Sequence, residues 1–209
     1  MNEIKDKSVQ TFIDELASKA PTPGGGSAAA AMGAQGAALI SMVCNLTIGK
    51  PKYAEVEVEI RELLKKSEAL RNTLMNMIKA DIDVFERLMA TYGLPKESDE
   101  EKAARSVAIQ GALKEAVSIP LACVQACADV ILLSRVAANK GNVAVISDAG
   151  VAAMAGYGGL KSAALNVYTN TAGLKDRVFA AAKLAELEAI LNDAETVAEE
   201  VYQLVKAKL

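Results

Sequence analysis

From Ala20 to Gly49 the chain carries no charged side chain, and this uncharged run narrows the choice of fold more than any other feature. Inside it Gly33, Ala37, Ser41 and Asn45 recur every fourth residue. That spacing places them on one face of a helix, where small side chains let a neighbouring helix come very close. A membrane span needs about 20 apolar residues, so the run is long enough to raise that possibility. Its interior is Ala and Gly rather than Leu, Ile and Phe, which suits a buried helix of a soluble protein better. The line ends on Asn45, expected where a tight seam opens onto a group that needs a hydrogen bond.

Just before this helix, Pro21-Thr22-Pro23 leads into Gly24-Gly25-Gly26-Ser27. Glycines there permit positive φ and close approach by a ligand or another backbone. Ser27 is expected to cap the helix, leaving the other free N–H groups of the first turn aimed at whatever occupies the glycine loop. Gly24, Gly25, Gly26 and Ser27 are therefore candidate binding residues for an anionic or amide-bearing ligand. A nucleotide is disfavoured, since the Walker pattern is absent and no predicted strand precedes the glycines.

The remaining segments read as helices. Val9, Phe12, Ile13 and Leu16 mark a short amphipathic helix covering a core edge. From about Tyr53 to Thr91, Ile60, Leu63, Ser67, Leu70, Leu74, Met77, Asp81, Val84 and Leu88 alternate by three and four, a heptad seam. Ser98 and Glu101 form a capping box for the next helix, and Pro120 inside it predicts a kink or a break. After a turn at 139–142, Ser147-Asp148 opens a second small-residue helix carrying Ala155, Gly159, Ser162, Asn166 and Asn170. The final helix runs from about Leu174 to Lys208. No stretch alternates with period two, so the chain is predicted to be all-α, an antiparallel bundle of long helices in one domain over 1–209.

Composition excludes several classes of function. A net charge of −3 without a basic cluster, 4% aromatic residues and no Trp argue against nucleic acid as a partner. Histidine is absent, which removes the usual general base, the commonest metal ligand and every Ser-His or Cys-His pair. Cys44, Cys123 and Cys127 read as core residues in a reducing compartment. No metal and no organic cofactor are expected. The first ten residues have no apolar signal, so a cytoplasmic protein is expected.

Chemistry then falls on other side chains. Asp81 occupies a seam position, where desolvation should raise its pKa as a general acid or base requires. It can equally be a structural carboxylate paired with Lys or Arg, or one at a seam end facing water. Asp83 points away from the seam. Asn166 and Asn170, one turn apart, can bind a polar heterocycle or can be core amides satisfied by backbone. Lys50 and Lys52 can contact an anion or simply complement the helix dipole.

Taken together, these motifs resemble the cyclodeaminase/cyclohydrolase family of folate enzymes, related to the C-terminal domain of formiminotransferase-cyclodeaminase. The resemblance spans essentially the whole chain. It rests on Pro23-Gly24-Gly25-Gly26-Ser27, the run Met42 to Lys50 with Lys52-Tyr53, Asp81 four residues before Phe85, Leu94-Pro95-Lys96, Ile119-Pro120-Leu121, Gly141-Asn142, Ser147 to Ala153, and Asn166-Val167 with Asn170. It implies an all-helical homodimer that binds tetrahydrofolate derivatives in a cleft at or near the subunit interface, with Asp81 as catalytic acid/base. Gly24–Ser27, Asn45, Lys50, Asn166 and Asn170 are implied to bind substrate. The implied reaction is formiminotetrahydrofolate cyclodeamination, which gives 5,10-methenyltetrahydrofolate and ammonia, with methenyltetrahydrofolate cyclohydrolysis as the alternative. Thr169 departs from the aliphatic residue usual between the asparagines. No formiminotransferase region is present in the 209 residues, so any formimino substrate is expected to come from a separate enzyme. A non-enzymatic helical adaptor, using its Ala/Gly faces only for packing, is the reading from another class.

Overall fold

The structure is a computed structural model that describes residues 4–209. The reading of the first ten residues as free of an export signal falls partly on 1–3, outside the described residues. Six α-helices follow in order: α1 (Val9–Leu16), α2 (Gly25–Asn45), α3 (Glu57–Tyr92), α4 (Asp99–Lys140), α5 (Ile146–Ala172) and α6 (Arg177–Lys206). Short 3-10 turns occupy Ile4–Asp6, Pro51–Val56 and Val143–Val145. No strand occurs among the described residues, and the architecture is the all-α bundle that the periodicity predicts.

Local chemistry sets the helix ends. The Ser8 hydroxyl accepts from the Thr11 amide to start α1. Ser98 and Glu101 complete a reciprocal capping box for α4, and Asp176 accepts from the Phe179 amide to start α6. Along α3, the seam residues Ile60, Leu63, Leu74, Val84 and Leu88 are buried as expected. In α1 only Phe12 packs against the core, whereas Val9 and Ile13 stay exposed. That helix therefore covers less of the core edge than its pattern predicts.

Helix α2 lies between α3 and α5 and runs antiparallel to both. Ser27 meets Asp81 at one end of the α2–α3 contact, and Ser41 shares a 2.8 Å hydrogen bond with Ser67 towards the other. The small residues do what their spacing implies. A Cβ at Gly33 would lie 2.6 Å from Cys127 Sγ, one at Gly36 2.8 Å from the Ala152 carbonyl, and one at Gly159 2.8 Å from the Ala29 carbonyl. The three cysteines are buried in this packing, as expected. By length and apolarity, α2, a stretch of α4 and the segment Val143–Ala172 could each cross a membrane. Here they bury much of that surface against one another.

Of the kink or break expected at Pro120, the break does not occur, because α4 is continuous over 42 residues. Proline has no N–H to offer the carbonyl four residues back. That carbonyl, on Ala116, accepts instead from Asn170 Nδ2 of α5 at 2.7 Å. Near the far end of α2 a polar clasp joins three segments. The Asn142 amide donates to Thr47 Oγ1 at 2.8 Å, Asn142 Nδ2 donates to the Leu46 carbonyl at 2.9 Å, and the Tyr53 hydroxyl accepts from the Val143 amide at 3.0 Å.

Candidate active site

Asp81 and the first turn of α2 form the candidate site. Ser27 does not cap the helix as expected: α2 begins at Gly25 with Gly24 as its N-cap, so Ser27 already lies inside the first turn. Its hydroxyl is free to reach across to α3, where it donates to Asp81 Oδ2 at 2.8 Å and lies 3.4 Å from the Ile78 carbonyl. Gly26 supplies the space for the carboxylate. A Cβ there would stand 2.0 Å from Oδ1, 2.6 Å from Cγ and 2.8 Å from Oδ2. The positive φ expected of this glycine turn is not found, since among the glycines only Gly49 has one, at 77°.

Burial of Asp81 pushes its pKa above the usual carboxylate range, while the bonds from Ser27 pull it partly back. No salt bridge joins Asp81 to a described residue, so the alternative of a structural ion pair has no cation among the described residues. Asp83 behaves as expected: it turns to the surface and pairs with Lys79 at 2.5 Å. A half-buried carboxyl with one oxygen held by a hydroxyl and the other lying on a bare Cα can take up and return a proton without first shedding a counter-ion.

The other expected site residues divide. Gly25 is exposed, and the position of its Cβ would lie 3.9 Å from Asn166 Nδ2, so Asn166 borders the glycine turn. Asn166 also donates back to the Ser162 carbonyl of its own helix at 3.2 Å. Asn170 is committed to the Ala116 carbonyl, which favours the core-amide reading for it. Asn45 and Lys50 are exposed near the opposite end of α2, about 30 Å from Gly25 along the helix. Within one chain they do not join the Asp81 cluster. Burial pushes the Cys44 thiol up to about 12, which leaves it inert as a nucleophile at neutral pH. Among the described residues no group of three or more His, Cys, Asp or Glu is placed to hold a metal.

Two features escape sequence reasoning. One is the seat that Gly26 provides for a carboxylate 55 positions away, for which a lone Gly gives no signal. The other is a cleft along the α2–α3 seam whose near end, at Ala31 and Ile78, lies about one helical turn from Ser27 and Asp81. This cleft thus adjoins Asp81 and does not contain it.

A family model for formiminotransferase-cyclodeaminase matches residues 8–189. The chain is 57% identical to methenyltetrahydrofolate cyclohydrolase from Methylorubrum extorquens over 204 residues, 98% of each protein. It is 34% identical to formimidoyltransferase-cyclodeaminase from Sus scrofa over 97% of its own length, and spans 37% of that protein. The crystal structure of formiminotetrahydrofolate cyclodeaminase from Thermotoga maritima superposes with a TM-score of 0.83 at 32% identity, covering 99% of this chain and 98% of that one. On the family match, these relatives and this shared fold, the chain belongs to the formiminotransferase-cyclodeaminase family.

Proposed function

We propose that the protein is a folate one-carbon enzyme of a single domain, acting as a methenyltetrahydrofolate cyclohydrolase. The observation that carries an enzymatic reading is the Asp81 carboxyl, held by Ser27, seated on Gly26 and unpaired by any described cation. The choice of cyclohydrolase rests on the 57% identity over 98% of both chains to a protein of that name. Cyclodeamination, the activity placed first from the sequence, remains the second reading, supported by the fold shared with the Thermotoga maritima cyclodeaminase.

In the cyclohydrolase reaction, water adds to the cationic carbon between N5 and N10. Asp81 takes one proton from that water as its oxygen bonds to carbon, giving a neutral tetrahedral centre. The C–N5 bond then breaks, N5 takes up a proton from Asp81, and the hydroxyl loses its own proton as the formyl C=O forms on N10. The sum is one water consumed and one proton released. A cationic substrate beside Asp81 favours its anion, countering the burial that raises its pKa. In the cyclodeaminase reaction the same carboxyl would remove the N10 proton and return one to the departing ammonia.

The two folate substrates are to be assayed in parallel by methenyltetrahydrofolate absorbance. Faster-than-spontaneous loss of absorbance supports cyclohydrolase. Its appearance from 5-formiminotetrahydrofolate alone, with ammonia released, supports cyclodeaminase, and inactivity with both refutes the assignment. A helical adaptor predicts that last outcome.

A homodimer is proposed with it. The outward face of α2 carries no charge, and with α5 it exposes Met42, Leu46, Val151 and Leu165. A two-fold axis across this face would set Asn45 and Lys50 of one copy near the Gly25 end of the other. A monomer at micromolar concentration in analytical ultracentrifugation would refute this arrangement. The enzyme is proposed to act in the cytoplasm without metal or organic cofactor. Undiminished turnover after chelation, and recovery in the soluble cell fraction, would bear on those points.

A further inference from the structure

Beyond Asp81, the α2–α3 seam widens into a cleft of about 660 Å³, roofed by the N-terminal segment and α1. Its near end is marked by Ile78, whose carbonyl lies 3.4 Å from the Ser27 hydroxyl. Its far end is marked by Arg71, ten residues from Asp81 and so about 15 Å along α3. Between them Phe12, Met75 and Ile78 give the walls an apolar character. Among its described lining residues Lys5, Lys7 and Arg71 are cationic and Asp6 is acidic, while Glu15 pairs with Lys7 and Glu68 with Arg71 close by.

The order along the seam is a proton-transfer group, a passage with apolar walls and the Arg71 guanidinium. A folate has the same order: the reacting nitrogens, an aminobenzoyl ring, then a glutamyl residue with two carboxylates. The arm from ring to terminal carboxylate is the length of roughly three extended residues, about 10 Å, which the cleft can hold. Resting on the folate reading above, we propose that this cleft seats the aminobenzoyl-glutamyl arm of the substrate, with Phe12 and Met75 against the ring and Arg71 and Lys7 at the carboxylates.

Arg71 donates through Nη2 to Glu68 at 2.5 Å, and Lys7 donates to Glu15 at 2.6 Å. Both cations are thus held in place at the surface by neighbours of their own. A guanidinium carries five N–H donors, so the Glu68 contact leaves others to a ligand carboxylate. Ile13 also lines the cleft while remaining 52% exposed, apolar surface that a ring in the cleft would cover.

The test compares wild type with Arg71→Gln and Lys7→Gln on 5,10-methenyltetrahydrofolate and on the same pterin lacking the glutamyl residue. With the glutamyl substrate, KM is expected to rise about tenfold in Arg71→Gln, the loss of one charge-assisted hydrogen bond, with kcat changing far less. With the truncated substrate, wild type and variant should share one KM. Calorimetric titration with p-aminobenzoylglutamate reads the cleft without turnover, and its affinity should fall by a similar factor in the variant. The proposal is overturned by an unchanged KM for the glutamyl substrate, by equal losses on both substrates, or by no binding of p-aminobenzoylglutamate to wild type. Dissociation of a dimer by Arg71→Gln would overturn it too, since a second copy would then occupy the cleft. Inactivity of wild type on both folates, with p-aminobenzoylglutamate still bound, would sink the enzymatic assignment and leave the cleft's ligand class standing.

Discussion

Replacing Gly26 by Ala tests the contact on which the candidate site is built. The new Cβ would stand 2.0 Å from Asp81 Oδ1 and 2.8 Å from Oδ2. Ordinary carbon–oxygen contact is about 3.5 Å, so the carboxylate must retreat by roughly 1.5 Å. The side chain can rotate to do this, at the expense of its 2.8 Å bond to Ser27. Losing a hydrogen bond to a charged group costs about 1.5–3 kcal/mol, whereas Gly to Ala within a helix gains about 0.5–1 kcal/mol. The net loss is about 1–2 kcal/mol, and a chain of this size loses roughly 2–4 °C of Tm per kcal/mol. A misplacement of that extent should lower kcat by about 10²-fold. Thermal denaturation followed by circular dichroism and initial rates of methenyltetrahydrofolate hydrolysis measure the two effects. A variant with wild-type turnover and a raised Tm, the usual result of Gly to Ala in a helix, would refute the reasoning.

Four further substitutions separate the roles assigned above. Asp81→Asn should lower kcat by about 10²–10⁴-fold, the usual range for a lost general acid/base. The folded-state pKa of Asp81 lies above the 3.8 of a free aspartate, so the folded chain holds this proton more tightly and stability falls as pH rises from 3.8 through the folded value. Asn removes that penalty, and its Tm at neutral pH should equal or exceed wild type; a destabilised variant with normal turnover would contradict this. Ser27→Ala removes a donor that holds the Asp81 pKa down, so the acid limb of the kcat/KM–pH profile should move to higher pH, and an unmoved limb would count against Asp81 as the base. Asn170→Ala should destabilise by about 1–3 kcal/mol by orphaning the Ala116 carbonyl. Pro120→Ala, which restores a backbone donor to that carbonyl, should recover much of the loss in denaturant titration, and additive effects of the two substitutions would refute the coupling.

Periodicity along the chain made the bundle legible because each helix has a defined apolar stripe or a defined set of small residues. Asp81 stood out because a carboxylate is costly in a seam position, and its raised pKa follows from that placement. Ser27 reads as a cap in the sequence, but capping depends on where the helix begins. Gly24 can take the N-cap role without a side chain, and nothing local reveals that the Ser27 hydroxyl has a partner on α3. Pro120 reads as a kink or a break because only the fold brings Asn170 to the carbonyl it leaves without a donor. Asn45 and Lys50 share a continuous motif with the glycine turn, yet sequence adjacency says little when a 21-residue helix carries its ends about 30 Å apart. The N-terminal cleft left no trace beyond an amphipathic α1, since its walls come from segments separated by some 60 positions.

The bond from Asn170 to Ala116 also bears on how α4 finds its place. Packing already favours one register of α5 on α4, since a Cβ at Gly156 would lie 3.1 Å from both Ile131 and Val130 and one at Gly159 3.0 Å from Cys127 Sγ. The Pro120–Ala116 step adds a polar mark of the same register. In the interior of α4 the carbonyl four residues before the proline lacks its helical donor, and a shifted α5 would leave it bare while burying the Asn170 amide against carbonyls already engaged. A proline that looks like a defect in the helix thus serves as an index mark, fixing which turn of α5 stands against which turn of α4 and so where along the bundle Asn166 comes to rest beside Gly25.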